Sequence, residues 1–316
     1  MLTVFTSPKP FRGPIEGIQR NAIGSWLALG PDVEVLLIGE EARMDDVARE
    51  FGIPHLAQVA RNANGTPLVS SIFDLARRHA RHPLLCYVNA DVMLLEDLLP
   101  AVRQVSERFE RFLIVGRRWD LDVPERLGFD PGWQAALRKR IEAAGTLHPP
   151  TGSDYFVFPR PMFEGMPPFA LGRAGWDNWM IFAGRRAHVP VIDATEAVTV
   201  VHQVHDYSHL PGCRPHFRLP ESLENVKMGG GRVTVFTIAD TTWRFGPQGL
   251  RRCTWREAGL KRWLEAGLYA RLGGGRSSRL ARMALHPIET SRYYYWAARR
   301  RAHDLLKGTR SEQPRS

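Results

Sequence analysis

Three short groups of polar residues in the 316-residue sequence have side chains that can bind a cation or move a proton. The first, Asn89-Ala90-Asp91, follows an apolar run from Leu84 to Val88 that has the length of a strand covered on both faces. A carboxylate at the carboxyl end of such a strand can bind Mg²⁺ or Mn²⁺ through oxygen, together with a substrate phosphate. Taken alone, the triplet is also explained by a strand that ends in a turn, because Asn and Asp favour turns.

The second group, Gly175-Trp176-Asp177-Asn178-Trp179, lies at the predicted start of a helix over residues 178–185. The carboxylate of Asp177 could act as a general base that takes a proton from a substrate. By excluding water, the two flanking indoles could keep this carboxylate basic. The alternative interpretation is a helix-capping Asp177 between two core tryptophans.

The third group, His202-Gln203-Val204-His205-Asp206, comes directly after a predicted strand over residues 197–201. The imidazole of His202 can bind a divalent cation, while His205 and Asp206 can support it or contact phosphate. A histidine at a strand end is equally explained as a structural residue. A metal-dependent hydrolase centred on His202, His205 and Asp206 needs further His and Asp ligands at fixed spacing, and the sequence does not provide a convincing set.

These groups lie in a chain that alternates strand and helix patterns as far as Val201. The predicted strands cover residues 2–6, 33–38, 55–59, 84–88 and 112–115, and the predicted helices cover 15–29, 41–51, 67–80 and 97–109. This order predicts an α/β fold with a mostly parallel sheet and helices on both faces. Ligands of such sheets bind beyond the carboxyl ends of the strands, where Asn89-Ala90-Asp91 lies.

Taken in this order, the motifs resemble those of the GT-A glycosyltransferase superfamily, in its inverting family-2-like or galactosyltransferase-like members. The resemblance covers roughly residues 1–210 and rests on Asn89-Ala90-Asp91, on the group around Asp177 and on Val200-Val201-His202. It implies a Rossmann-like GT-A fold and transfer of a sugar from a nucleotide-sugar donor to an acceptor hydroxyl, with inversion. It also implies a divalent metal, Mn²⁺ or Mg²⁺, bound by Asp91 and His202, with Asp177 as the catalytic base.

Asn89 departs from the superfamily pattern, in which this position is Asp. With Asn at this position, a weaker metal site is one interpretation of the sequence. Asn89 also favours an alternative hypothesis, a non-catalytic nucleotide-sugar- or glycan-binding protein with a degenerate GT-A site. A nucleotidyltransferase is not expected, because the Gly-rich loop that those enzymes carry after the first strand is absent from the sequence.

The resemblance also implies where the two substrates bind, since GT-A proteins hold the donor nucleotide in the turns after the first strands. The predicted donor-binding residues are Thr6, Lys9, Glu40, Arg61, Asn89 and Asp91. The predicted acceptor-binding residues are Asp154, Trp176 and Trp179. Turn formation is the alternative explanation for the donor-side positions that lie between predicted strands and helices.

The composition, with 44% hydrophobic and 24% charged residues, is that of a folded globular protein. Three scattered cysteines exclude a disulfide framework and a zinc site of paired cysteines, and they favour a reducing, cytoplasmic location. The N-terminus lacks the pattern of a signal peptide, and no apolar stretch reaches the roughly 18 to 20 residues that span a bilayer.

The net charge of +10 is concentrated near the C-terminus, because residues 244–316 contain 17 Lys and Arg but 5 Asp and Glu. We expect a catalytic domain over residues 1–245, divided into a nucleotide-sugar half (1–116) and an acceptor half (117–245), followed by a basic helical tail over 246–316. Basic helices with aromatic residues suit an anionic membrane surface, so we expect a glycan or lipid-linked acceptor and a peripheral position on the inner face of the membrane. A solvated helix face explains the charge as well, and nucleic acid is disfavoured because no recognition motif accompanies it.

Overall fold

In a computed structural model, the chain is described over residues 1–205 and 219–289, together with residues 291, 292, 295, 296, 298 and 299. The strands are β1 (Leu2–Thr6), β2 (Val33–Ile38), β3 (His55–Leu56), β4 (Leu84–Val88), β5 (Val92–Leu94), β6 (Leu113–Val115), β7 (Trp119–Leu121), β8 (Thr146–Leu147), β9 (Tyr155–Pro159), β10 (Val191–Asp193), β11 (Val200–Gln203), β12 (Trp243–Gly246) and β13 (Gly249–Arg252). The helices are α1 (Gly13–Leu27), α2 (Met44–Phe51), α3 (Val69–His79), α4 (Leu98–Arg108), α5 (Trp133–Ala144), α6 (Trp176–Arg186), α7 (Pro220–Met228), α8 (Trp255–Ala258), α9 (Leu260–Leu272) and α10 (Arg276–Leu285). Short 3-10 helices cover Arg232–Thr234 and Ile238–Asp240.

Within the described residues, nine strands form a main sheet in the order β13-β12-β10-β6-β9-β4-β1-β2-β3. Neighbouring strands are parallel, except that β9 runs antiparallel to β4 and β6, and β13 runs antiparallel to β12. The parallel neighbours β1, β2 and β4 are connected through helices, as βαβ units require. The predicted α/β fold with a mostly parallel sheet is therefore confirmed.

Each face of the main sheet is covered by helices, because successive strand side chains point to opposite sides. On one face, Phe5 of β1 and Tyr87 of β4 pack with residues of α3, α6 and α9. On the other face, Val4 and Cys86 of the same two strands pack with residues of α1, α2 and α4. Burying one such large apolar side chain stabilises the fold by about 1.5–3 kcal/mol. The prediction of helices on both faces is confirmed.

A second, smaller sheet has the order β5-β11-β7-β8. Its strand β11 is antiparallel to β5 and parallel to β7. The sequence pattern predicts that this strand ends at Val201, but β11 continues to Gln203 because His202 and Gln203 pair with Asp120 and Leu121 of β7. His202 therefore lies within a strand, opposite Asp120, rather than after the strand.

Residues beyond 245 begin on the main sheet, since β13 pairs with β12 at its edge. Helices α8, α9 and α10 follow in the region that the sequence predicts as a basic helical tail. No helix among the described residues combines the length and the apolar character needed to cross a membrane. Asp206, which the sequence suggests as support for His202, lies outside the described residues, as does part of the predicted tail.

Candidate functional site

The carboxyl ends of β1, β2 and β4 lie side by side, because these strands are parallel neighbours in register. Thr6 ends β1, Glu40 comes shortly after β2, and Asn89 directly follows β4. Three of the predicted donor-binding residues therefore share the edge of the sheet at which α/β proteins bind ligands.

Asp91, His202 and His205 form a cluster at this edge. Each offers one ligand atom, and the three atoms lie within 4.8 Å of one another. The Nε2 atom of His205 lies 3.1 Å from Oδ2 of Asp91, and Nε2 of His202 lies 3.9 Å from the same oxygen. Asp91 stands between β4 and β5, and β11, which carries His202, pairs with β5. One carboxylate and two imidazoles can bind a divalent cation.

One unpaired oxygen in this cluster fits a cation. Oδ1 of Asp91 is buried and has no hydrogen-bond partner among the described residues, a situation that costs about 1–3 kcal/mol unless a ligand relieves it. Burial alone raises the pKa of Asp91, but the hydrogen bond with His205 and the charges of His202 and Lys9 outweigh it and hold the pKa at about 2. Asp91 is therefore ionised near neutral pH, as a metal ligand must be.

Asp120 stands behind the cluster and connects two histidines. Its Oδ1 lies 2.9 Å from Nδ1 of His202, and its Oδ2 lies 2.8 Å from Nδ1 of His148. A carboxylate in this position fixes the ring orientation and the tautomer of a metal-binding histidine, and it leaves Nε2 of His202 for the cation. The sequence does not reveal this role, because a single Asp in a three-residue strand gives no local indication that it pairs with His202.

The side-chain amide of Asn89 is hydrogen-bonded at both ends. Its Oδ1 accepts from the hydroxyl of Tyr87 at 3.1 Å, and its Nδ2 donates to Oδ1 of Asp154 at 2.7 Å. The other oxygen of Asp154 accepts from Arg118 at 2.5 Å, and Arg118 also donates to Asp120 at 2.9 Å. An Asp at position 89 would place a second carboxylate against Asp154, so an amide suits this position better than the Asp of the superfamily pattern.

Asp177 lies in the first turn of α6, which begins at Trp176 rather than at Asn178 as predicted. Gly175 precedes the helix with a φ of 107°, and its N–H donates to Oδ1 of Asp177 at 3.2 Å. Burial raises the pKa of Asp177 to about 6 and the charge of Asp154 adds to this, while backbone N–H groups oppose it. Asp177 therefore helps to cap the helix and also has the pKa of a carboxylate that can take a proton near neutral pH.

The two tryptophans beside Asp177 differ in their surroundings. Trp176 is 5% exposed, and its ring centroid lies 5.0 Å from that of Tyr87 and 5.6 Å from that of Phe156. Trp179 is partly exposed and makes an edge contact with Phe169 at 5.3 Å. Trp176 is thus part of the larger core, and an acceptor contact stays a prediction for both rings.

Unpaired polar groups are also present at the end of β1. The hydroxyls of Thr6 and Ser7 are buried and have no hydrogen-bond partner among the described residues. The backbone of Lys9 is held by the amide side chain of Gln19, through hydrogen bonds of 2.7 and 2.9 Å. Burial lowers the pKa of the Lys9 ammonium group, and the charge of Asp91 opposes this shift. This end of β1 therefore offers two unpaired hydroxyls, and the ammonium group of Lys9 lies within electrostatic reach of Asp91.

Arg61 and Glu40, which the sequence predicts as two separate donor contacts, are paired with each other. Nε of Arg61 donates to Glu40 at 3.1 Å, a second guanidinium nitrogen donates to Glu41 at 2.8 Å, and a third to the carbonyl of Gly65 at 2.8 Å. A donor contact from Arg61 or Glu40 would compete with these pairs.

Glu221, in the first turn of α7, holds the neighbouring turn in place. Its Oε1 accepts from Asn62 at 2.7 Å and from Thr66 at 2.8 Å, and its Oε2 accepts from Arg173 at 2.8 Å. Burial alone raises the pKa of Glu221, but these hydrogen bonds outweigh it and hold the pKa at about 2. The turn over residues 62–66 is therefore tied to α7 by an ionised side chain.

Two cavities lie away from the cluster around Asp91. One, of about 260 Å³, is at the carboxyl ends of β6 and β10 and is lined by Arg117, Asp193 and Arg244 among others. The other lies against α4 and is lined by Asp97 and Phe245 among others. The candidate site is thus a polar edge of the sheet that coincides with neither cavity.

No protein-family model matches the sequence, and no curated protein matches it. Among solved structures, S. aureus TarS is similar over 87% of this chain and 44% of its own, with 11% identity and a TM-score of 0.46. M. tuberculosis glucosyl-3-phosphoglycerate synthase is similar over 73% of this chain and 81% of its own, with 14% identity and a TM-score of 0.42. GalNAc-T7, solved with UDP, GalNAc and Mn²⁺, is similar over 72% of this chain and 48% of its own, with 14% identity and a TM-score of 0.46. The chain spans less than half the length of the TarS chains that it matches.

Proposed function

We propose that this chain is a glycosyltransferase that moves a sugar from a nucleotide-sugar donor to an acceptor hydroxyl, assisted by a divalent cation. The observation that carries the proposal is the cluster of Asp91, His202 and His205 at the carboxyl edge of the sheet, with one carboxylate oxygen buried and unpaired among the described residues. The order of Asn89-Ala90-Asp91, Asp177 and His202 in the sequence, which resembles the GT-A superfamily, supports the same function.

The chemistry of the cluster favours Mn²⁺ over Mg²⁺. Mg²⁺ prefers oxygen ligands and keeps several waters, whereas imidazole suits softer divalent cations. His205 joins Asp91 and His202, the two ligands predicted from the sequence. When bound, such a cation would supply positive charge for the diphosphate of the donor and for the nucleotide that leaves.

The donor would bind along the edge between β1 and β4. The hydroxyls of Thr6 and Ser7 can pair with polar groups of the nucleotide, which would relieve their present lack of a partner among the described residues. Lys9 places a positive charge within electrostatic reach of Asp91, on the side where phosphates would lie. These three residues together recognise a polar anionic ligand.

The acceptor would be activated by Asp177. Its carboxylate takes the proton of the acceptor hydroxyl while that oxygen forms a bond to the anomeric carbon of the sugar. The bond from this carbon to the phosphate oxygen breaks, and the nucleoside phosphate leaves with the electron pair. Attack from the opposite side inverts the configuration, and the raised pKa of about 6 makes Asp177 a stronger base than an exposed Asp.

Transfer assays with UDP-, GDP-, CMP- and dTDP-sugars in the presence of Mn²⁺ test this proposal. Asp177→Asn is expected to lower kcat by about 10²–10⁴-fold and to leave donor affinity within about two-fold. In the unmodified protein, kcat is expected to rise through about pH 6, and Asp177→Asn should abolish this limb. The exposed Asp122→Asn is the matched control and should behave as the unmodified protein does. Sugar transfer by Asp177→Asn at the unmodified rate would show that the base assignment is wrong.

A non-catalytic nucleotide-sugar- or glycan-binding protein is the second candidate, and Asn89 in place of the superfamily Asp is the observation that favours it. The hydrogen bond from Asn89 to Asp154 gives this Asn a structural reason that does not require loss of activity. Titration calorimetry with the same donors separates the two candidates. Donor binding without transfer or donor hydrolysis under any condition would favour the binding protein.

A further inference from the structure

The C-terminal helices expose a concentration of large apolar side chains. Fifteen such side chains are exposed in the described part of the chain, and twelve of them lie between Trp255 and Trp296. Four recur at every fourth position along α9 and so lie along one side of the helix. This leucine stripe consists of Leu260, Leu264, Leu268 and Leu272, which are 53%, 55%, 36% and 40% exposed.

The opposite side of α9 already packs against the protein. Ala266, Tyr269 and Ala270 are buried in the larger core together with residues of α6. The leucine stripe therefore faces outward, on a helix whose opposite face is buried against the protein. A solvated helix surface carries polar residues at such positions.

Positive charge accompanies the exposed apolar residues. On α10, Leu280 and Met283 are exposed beside the exposed Arg276 and Arg279. Residues 244–316 contain 17 Lys and Arg against 5 Asp and Glu, whereas the rest of the chain is close to neutral. The exposed face of α10 is thus both apolar and basic, and it follows the leucine stripe of α9 directly in the chain.

We propose that α9 and α10 bind the surface of an anionic lipid bilayer, with the leucine stripe inserted among the lipid headgroups and the arginines paired with lipid phosphates. Helices of this kind bind through buried apolar area and through attraction to anionic lipids, and each Lys or Arg at the surface contributes roughly five-fold to binding. A second copy of the same surface would bring like charges together. Nucleic acid would satisfy the arginines but leave the leucines in water. The bilayer satisfies both, and this inference does not rest on the proposed sugar transfer.

Sedimentation of the full-length protein with phosphatidylcholine vesicles, with and without phosphatidylglycerol, tests the proposal. Binding is expected to be at least about tenfold stronger with phosphatidylglycerol. Leu264→Asp is expected to weaken binding by about tenfold or more, because it removes a leucine from the apolar interface. Leu223→Asp is the matched control, since Leu223 is 62% exposed on α7, outside the stripe, and it should bind as the unmodified protein does. Thermal melts of both variants should overlay that of the unmodified protein.

The double variant Arg276→Glu, Arg279→Glu provides a second measurement, and it should lose the preference for phosphatidylglycerol. Equal binding to both kinds of vesicle would overturn the proposal, as would full binding by Leu264→Asp. Light scattering that shows a dimer split by Leu264→Asp, without vesicle binding, would instead assign the stripe to contact between two copies. Binding to a DNA duplex without binding to vesicles would assign the charge to nucleic acid.

Discussion

Replacing Asp120 by Asn tests whether the carboxylate behind His202 sets the affinity of the candidate cation site. Because Nε2 of His202 must be unprotonated to bind a cation, Nδ1 carries the proton and donates to Asp120 at 2.9 Å. Arg118 also donates to Asp120, and Nδ1 of His148 lies 2.8 Å from its other oxygen. An Asn keeps the size of the side chain but replaces one accepting oxygen with an NH₂ group. At least one of the three neighbours then loses its acceptor, and the His202 ring is no longer held by a charge.

Loss of such a supporting carboxylate lowers metal affinity by about 10–100-fold. With the cation at about 100 times its Kd, binding stabilises the unmodified protein by about 2.7 kcal/mol. If the affinity falls by about 30-fold, the same concentration contributes about 0.9 kcal/mol. At roughly 2 °C per kcal/mol for a protein of this size, the rise in Tm caused by the cation falls from about 5 °C to about 2 °C.

Calorimetric melts with and without Mn²⁺ measure this difference, and titration calorimetry measures the affinity directly. Asp122→Asn makes the same chemical change on an exposed side chain just after β7, and its response to Mn²⁺ should equal that of the unmodified protein. Asp91→Ala should abolish the response. If Mn²⁺ raises the Tm of Asp120→Asn as much as that of the unmodified protein, Asp120 does not tune the site. A full response from Asp91→Ala would refute the site itself.

Three further variants test the surroundings of the site. Asp177→Asn should stabilise the protein above about pH 6 and have no effect on stability below about pH 4. The folded-state pKa of Asp177 is raised to about 6, so ionisation of this carboxyl group lowers the free energy of unfolding at higher pH. Urea melts at both pH values check this. Asn89→Asp places a carboxylate where Nδ2 of Asn89 now donates to Asp154 at 2.7 Å. It should lower the free energy of unfolding by about 1–3 kcal/mol. An unchanged urea midpoint would contradict the explanation that Asn is present at position 89 to donate to Asp154. Glu221→Ala should also lower the free energy of unfolding by about 1–3 kcal/mol. This difference should be present above about pH 4.5 and shrink as the pH falls towards 2. Glu224 is more than half exposed on the same helix, so Glu224→Ala should change the urea midpoint little.

Local patterns were sufficient for the buried strands of the main sheet. The bounds of β1, β2 and β4 are predicted to the residue, because these strands are mostly apolar and each ends directly before a turn-forming Ser, Gly or Asn. The buried Thr3 and Glu34 are the polar exceptions inside β1 and β2. The start of α6 was predicted two residues late, since the left-handed conformation of Gly175 places the beginning of the helix at Trp176. The end of β11 could not be predicted, because its last residues are held by pairing with β7.

The candidate site was predictable in part for the same reason. Asp91 and His202 were expected to share a cation, and the structure places both in one cluster with His205. Asp120 was missed because its importance comes from strand register, which places it opposite His202 across 82 positions of sequence. For Trp176 the sequence leaves a sugar contact and a core position as two interpretations, since flanking aromatic residues do not reveal which side of a helix start faces the core.

The small sheet has a consequence for how the protein reaches its folded state. Its strands come from four separate stretches of the chain, and 114 positions separate Asp91 from His205. The entropy of closing such long loops must be overcome before the contacts contribute, so strands β1, β2 and β4 are expected to form earlier in refolding than the cluster. In a stopped-flow experiment, the signal of a Mn²⁺ probe should therefore appear after most of the far-ultraviolet circular dichroism has recovered. A refolding intermediate would contain much of the main sheet before it can bind the cation.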